Sequence, residues 1–196
     1  DFMTYNSGDW TITTTEAGGG DASEAVTSSA GGALLITNDA ADNDADFFNL
    51  KGEGFKLSSS KKAYFSARFK VSDATQSDFV MGLQITDTTP LAVSDGVFFI
   101  KDDGDTNLDF IVEKDSTSTD TTAIHTMEDD TFVTASFFID PDRAAVYYSI
   151  DNGTPVKVAN TNLPDDEELT ISFGIQNGEA AAKTMTIDYV TAMVER

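Results

Sequence analysis

Between Lys61 and Glu113 apolar and polar residues alternate, and this restricts the fold more than any other feature of the chain. In Lys62–Val71 the odd positions are Ala63, Phe65, Ala67, Phe69 and Val71, and Lys62, Tyr64, Ser66, Arg68 and Lys70 fill the even ones. Side chains of a strand point to opposite faces in turn, so this is a half-buried strand. Asp78–Thr86 repeats the pattern with Phe79, Met81, Leu83 and Ile85, Val80 being the exception. Gly96–Lys101 is apolar on both faces, and Leu108, Phe110 and Val112 alternate with Asp109 and Glu113. Separated by turns rich in Ser, Asp, Thr and Gly, these four segments read as one antiparallel sheet.

Similar signals run to the end of the chain. Thr131–Asp140 points Val133, Ala135, Phe137 and Ile139 inward, and Ala144–Ile150 alternates through Val146 and Tyr148. Asp151-Asn152-Gly153 is a tight turn into Thr154–Ala159. Leu169, Ile171, Phe173 and Ile175 form another strand. In Thr184–Val194 the apolar parity changes between Ile187 and Val190, as a bulge would require. The polar run after Glu113 reads as a loop tip, and Leu163–Leu169 has room for one short helical turn. About a dozen strands in 196 residues favour an all-β, two-sheet antiparallel sandwich over one open sheet. We expect a single sandwich domain over residues 33–196. Residues 1–32 read as an irregular N-terminal segment with one short strand candidate, Trp10–Thr14.

Composition excludes several functions. Thirty-four acidic residues against twelve basic ones give a net charge of −22, which repels phosphate, so neither nucleic acid nor an anionic membrane is an expected partner. No apolar stretch has the length of a membrane-spanning helix. With no cysteine there is neither a disulfide framework nor a thiolate metal site.

Catalytic residues are not expected. The single His125 has no neighbouring Ser or Cys nucleophile. Asp109 and Glu113 share a strand face, but they lie about 13 Å apart along it with Ile111 between them, too far for a glycosidase pair. Asp103, Asp105 and Asn107 have the spacing of a calcium loop, yet Leu108 stands where an EF-hand has glycine and no Glu closes the loop. They remain candidate ligands for a structural Ca²⁺, as does the acidic run Asp39, Asp42, Asn43, Asp44 and Asp46; no other cofactor is expected. Tyr64 and Tyr147 lie among the polar residues of their strands, where rings on an outer face form a platform for stacking sugars.

Ser72–Asp109 and Asn162–Arg196 resemble virion structural proteins of tailed bacteriophages, marine ones especially. The order of strands, ending in Ile-Asp-Tyr-Val at Ile187–Val190, resembles the concanavalin A-like, laminin G-type jelly roll. The first resemblance implies a non-enzymatic subunit, most naturally a decoration or cement protein on the outside of a phage head. Its partners would be the major capsid protein, other virion proteins or further copies of itself, and residues 1–32 would be a capsid-contacting arm. The alternative is a lectin-like carbohydrate-binding module, which a virion could also display.

Overall fold

Ala63–Val71 forms the strand that its alternation predicts, with Phe65, Ala67, Phe69 and Val71 fully buried and Tyr64, Arg68 and Lys70 on the opposite face. The computed structural model describes residues 1–58 and 60–196. Fifteen strands follow in order: β1 (Trp10–Thr15), β2 (Ser23–Thr27), β3 (Ala33–Thr37), β4 (Ala45–Leu50), β5 (Phe55–Lys56), β6 (Ala63–Val71), β7 (Ser77–Gln84), β8 (Gly96–Lys101), β9 (Asn107–Lys114), β10 (Thr117–Thr126), β11 (Val133–Asp140), β12 (Ala145–Ile150), β13 (Val156–Ala159), β14 (Glu168–Asn177) and β15 (Thr184–Val194). Among the described residues the only helical pieces are three short 3-10 turns, and no helix is long and apolar enough to cross a membrane.

The strands make two antiparallel sheets. Sheet A has the order β1-β4-β14-β7-β8-β9-β10, with β5 added to β14; sheet B has the order β13-β12-β11-β6-β15-β3-β2. This is the expected two-sheet sandwich, but the four segments between Lys61 and Glu113 are not one sheet. β6 pairs with β11 and β15 in sheet B, whereas β7, β8 and β9 are neighbours in sheet A. Alternation fixes which side chains turn inward and leaves the partner strand open.

Phenylalanines from both layers fill the space between the sheets. Phe65 stacks on Phe137 within sheet B at 5.1 Å, and Phe137 meets Phe110 of sheet A at 5.8 Å. Phe69 meets Phe79 edge-on across the layers at 5.3 Å. Such offset and edge-on pairs match the ring quadrupoles, adding to the gain from removing the rings from water.

Residues 1–32 are not irregular. β1 pairs with β4 as an edge of sheet A, and β2 pairs with β3 as an edge of sheet B. Trp10 packs on Phe173 at 5.0 Å and Phe2 at 6.4 Å from the same ring. The segment is therefore part of the sandwich. The polar run after Glu113 is also a strand: a left-handed pair, Asp115 (φ 49°) and Ser116 (φ 58°), turns the chain into β10. As an edge strand with little to bury, β10 carries no apolar alternation. Leu163–Leu169 contains no helical turn.

Candidate functional site

The expected bulge in β15 is present. Its register against β6 shifts between Ile187 and Tyr189, and the extra residue, Asp188, reaches Arg68 at 2.6 Å. Beyond the shift, Tyr64 lies opposite Met193. On its other side Tyr64 pairs with Phe138 of β11, Phe138 pairs with Tyr147 of β12, and Tyr147 pairs with Lys157 of β13. Directly opposed residues share a face. Sheet B thus carries on its outer side a row running Met193, Tyr64, Phe138, Tyr147, Lys157.

A second row lies two residues along each strand. There Thr191 opposes Ser66, Ser66 opposes Ser136, and Ser136 opposes Ser149. The hydroxyls are tethered at modest distances: Ser136 donates to the Ser149 carbonyl at 3.3 Å and Ser149 to the Gly153 carbonyl at 2.9 Å. Over these rows opens a depression of about 570 Å³, lined by Tyr64, Phe138, Tyr147, Ser136, Ser149 and Pro155 among others. The turn between β11 and β12 closes one end. Asp140 caps it by accepting from the Asp142 amide at 3.1 Å, and Ala144 takes the left-handed conformation (φ 47°). This brings Arg143 to the rim, where its Nε lies 3.5 Å from the Asp140 carboxylate. The Tyr147 hydroxyl, and after it Asp140, hold the Arg143 pKa above its ordinary value.

The structure therefore brings Tyr64 and Tyr147 together in one depression, on strands distant in sequence. Phe138 completes the row and is not evident from sequence, because it stands beside Phe137 in a run apolar at every position. Its parity with Ser136 and Asp140 is the signal that places it outside. Rings on strands about 4.8 Å apart give a row roughly 10 Å wide, about the span of two linked pyranose rings. Half-exposed rings flanked by hydroxyls, a guanidinium and a carboxylate can stack on the apolar face of a sugar and hydrogen-bond its edge.

The outer face of sheet A differs. Asp109 and Glu113 lie on one side of β9 as expected, and Asp120 of β10 stands opposite Ile111 between them. The loop reading of β10 conceals Asp120 in the sequence. These acids line a groove of about 280 Å³ together with Asp102, Phe98 and Leu91. Burial, then Asp120 and Asp95, push the Glu113 pKa up; burial, then Asp109, do the same for Asp102. Asp109 is already engaged, accepting from the Ala123 amide at 2.7 Å. Beside the groove, Val93 and Leu91 from the turn at Pro90–Ala92 pack with Phe98, Phe47 and Val80 in a second apolar cluster. That cluster covers part of the face. His125 lines a separate small depression with Met127, Phe132 and Asp151.

Among the described residues no three His, Asp or Glu side chains are grouped to hold a metal ion. Asp103 and Asp105 are exposed at the tip of the β8–β9 hairpin, where Asp105 accepts from the Asn107 amide at 2.6 Å. At the base of that hairpin Lys101 is 1% exposed, and its ammonium donates to the carbonyls of Ser77, Asp102 (2.8 Å) and Thr75 (3.4 Å). In the Asp39–Asp46 run, Asp44 accepts from the amides of Ala17 and Ala41 at 2.6 and 3.3 Å. Asp46 points away into the sandwich, accepting from Thr14 at 2.5 Å.

No protein-family model matches the sequence, and no curated protein matches it. Its fold is that of known structures. A protein of unknown function from Shewanella oneidensis MR-1 superposes with a TM-score of 0.65 at 17% identity, over 98% of this chain and 83% of the other. The carbohydrate recognition domain of Emp46p in its potassium-bound form superposes with a TM-score of 0.66 at 11% identity, over 97% and 93%. A mixed-linkage glucan glycoside hydrolase of family 16 from Bacteroides ovatus, in complex with product, gives 0.66 at 16% identity, over 98% of each chain. At such identities the likeness is one of fold: a concanavalin A-like jelly roll, shared by lectin domains and glycoside hydrolases.

Proposed function

We propose that this protein is a non-catalytic carbohydrate-binding module that holds a polysaccharide across the outer face of sheet B. The observation that carries the reading is the registration of Tyr64, Phe138 and Tyr147 on three adjacent strands beside a row of hydroxyls. Neighbours of the same fold include a domain described as carbohydrate-recognising and one solved with a glucan product, which supports the ligand class. Catalysis is left out because Asp109 caps a backbone amide and the acids of sheet A flank a face partly covered by its own loop. The test is retention on immobilised polysaccharide and release by free oligosaccharide, repeated with Tyr147→Ala. A wild-type protein that flows through every matrix refutes the reading, as does turnover of a glucan that disappears in Asp109→Asn or Glu113→Gln.

A second reading has its own support. Ser72–Asp109 and Asn162–Arg196 resemble phage virion proteins, and sheet B exposes large apolar residues on both of its edge strands and on β15: Val26 of β2, Val156 of β13 and Met193 of β15 are 42%, 44% and 56% exposed. In this reading the protein is a decoration or cement subunit on a capsid surface. It contacts the major capsid protein or further copies through those residues. A fixed, high copy number in purified particles supports it; absence from particles removes it.

A further inference from the structure

Basic residues are scarce in this chain, and they are unevenly placed. The outer face of sheet A shows Asp78, Asp109, Glu113 and Asp120, and the one Lys or Arg that its strands turn outward among the described residues, Lys56 of β5, is paired with Glu168 at 3.0 Å. The outer side of sheet B carries Arg68 and Lys70 on β6 and Lys157 on β13, with Lys62 and Arg143 at the ends of its strands. Five of the twelve basic residues thus lie on or at the ends of the face that carries the aromatic row, in a molecule whose overall charge favours none there.

Four of the five are neutralised locally. Arg68 pairs with Asp188 at 2.6 Å, Lys70 with Asp130 at 2.9 Å, Lys62 with Asp142 at 3.4 Å and Arg143 with Asp140 at 3.5 Å. Lys157 makes no ion pair among the described residues and is exposed. It is the directly opposed partner of Tyr147, so its ammonium stands at the end of the row, with Arg143 near the same ring. A sugar stacked on Tyr147 would place its ring substituents between an unspent ammonium and a half-spent guanidinium.

We infer that the glycan held on this face bears anionic groups, carboxylate or sulfate, and that Lys157, assisted by Arg143, reads them. The inference rests on the carbohydrate-binding function proposed above and adds the chemical class of the ligand. Neutral glycans would gain the stacking and the uncharged hydrogen bonds. An anionic one also gains a charge-assisted contact at Lys157, opposed by the Asp140 carboxylate of the same depression, which Arg143 offsets at 3.5 Å, and weakly by the distant acids of sheet A once salt screens them.

The test uses the full chain and three soluble probes: alginate for carboxylate, carrageenan for sulfate and laminarin as a neutral glucan. At least one anionic probe should bind about three- to tenfold tighter than laminarin. That advantage should shrink as NaCl rises from about 50 mM to about 500 mM. Lys157→Glu should abolish the preference, because it reverses the charge beside Tyr147, and an unchanged unfolding temperature shows that the exposed position tolerates the change. Which of the two anionic probes gains identifies the group read. Equal affinity for all three, or a preference that survives Lys157→Glu, overturns the inference while leaving the carbohydrate-binding function standing. Failure of every probe to bind overturns both.

Discussion

Tyr64 and Tyr147 each stand directly opposite the same residue, Phe138, on strands that flank it from either side. One core strand, β11, thereby aligns two rings on the outer surface. Its inward residues, Ala135, Phe137 and Ile139, fix the register by burying themselves in the sandwich.

Truncating either outer ring should therefore weaken binding and leave the fold intact. Tyr64→Ala and Tyr147→Ala are each expected to cost about 0.5–1.5 kcal/mol of ligand affinity, the worth of an aromatic contact, with little change in unfolding temperature. Phe65→Ala provides the contrast, because its ring is fully buried against Phe137. It should lose about 3–5 kcal/mol of stability. Isothermal titration and thermal unfolding of the three variants check both halves.

Asp46 should make stability fall with rising pH. Burial pushes its pKa up, the Thr14 hydroxyl opposes this, and Glu24 from the facing sheet adds to it, giving about 7 against an ordinary 3.8. Between those values the folded protein keeps a proton that the unfolded chain has released. Stability from this group is complete below about pH 4 and lost by the time the pH passes through about 7. Asp46→Asn removes the titrating proton, so its stability relative to wild type should grow across that window, by about 4 kcal/mol at the upper end. Urea unfolding at several pH values measures the difference.

Lys101→Met should destabilise by about 2–4 kcal/mol, because it leaves the carbonyls of Ser77, Asp102 and Thr75 without the ammonium that satisfies them. Because that cation is covalently attached, Ca²⁺ or a chelator is expected to leave the wild-type unfolding temperature unchanged. Differential scanning calorimetry with and without Ca²⁺ reads both effects.

Gly82→Ala should cost about 3 kcal/mol by overpacking. A Cβ at that position would lie 2.5 Å from Phe98, whose ring covers the outer face of sheet A. Gly19→Ala is the control, with nothing within 4 Å of the added carbon. Denaturant midpoints of the pair give the comparison.

Much of this was legible in the sequence wherever burial leaves a parity signal. The change of phase within Thr184–Val194 marked the bulge that the register shift at Ile187/Tyr189 displays. Tyr64 and Tyr147 were readable as outward rings for the same reason. The turn after Ile150 was readable to within one residue: Asp151 and Asn152 hold the positive φ values, and Gly153 closes the turn by donating to the Ile150 carbonyl at 2.8 Å. Edges were legible only in part. Trp10–Thr14 and Thr154–Ala159 were readable and are β1 and β13, but β10 and β2 bury too little to show a period, so Asp120 and the pairing of residues 1–32 with the two sheets stayed hidden. Nor could local pattern reveal that β6 and β7 belong to opposite layers, since pairing depends on contacts with β11, β14 and β15 made much later in the chain.

That late pairing sets when the molecule can assemble. β14 is the bridge between β4 and β7, and β15 the bridge between β6 and β3. Until Glu168–Val194 has been synthesised, each layer exists as two halves with a strand-wide gap, exposing rims that invite mispairing. Maturation should accordingly follow translation of these two strands closely, and a ribosome-stalled chain ending before them should be sensitive to protease and captured by chaperones.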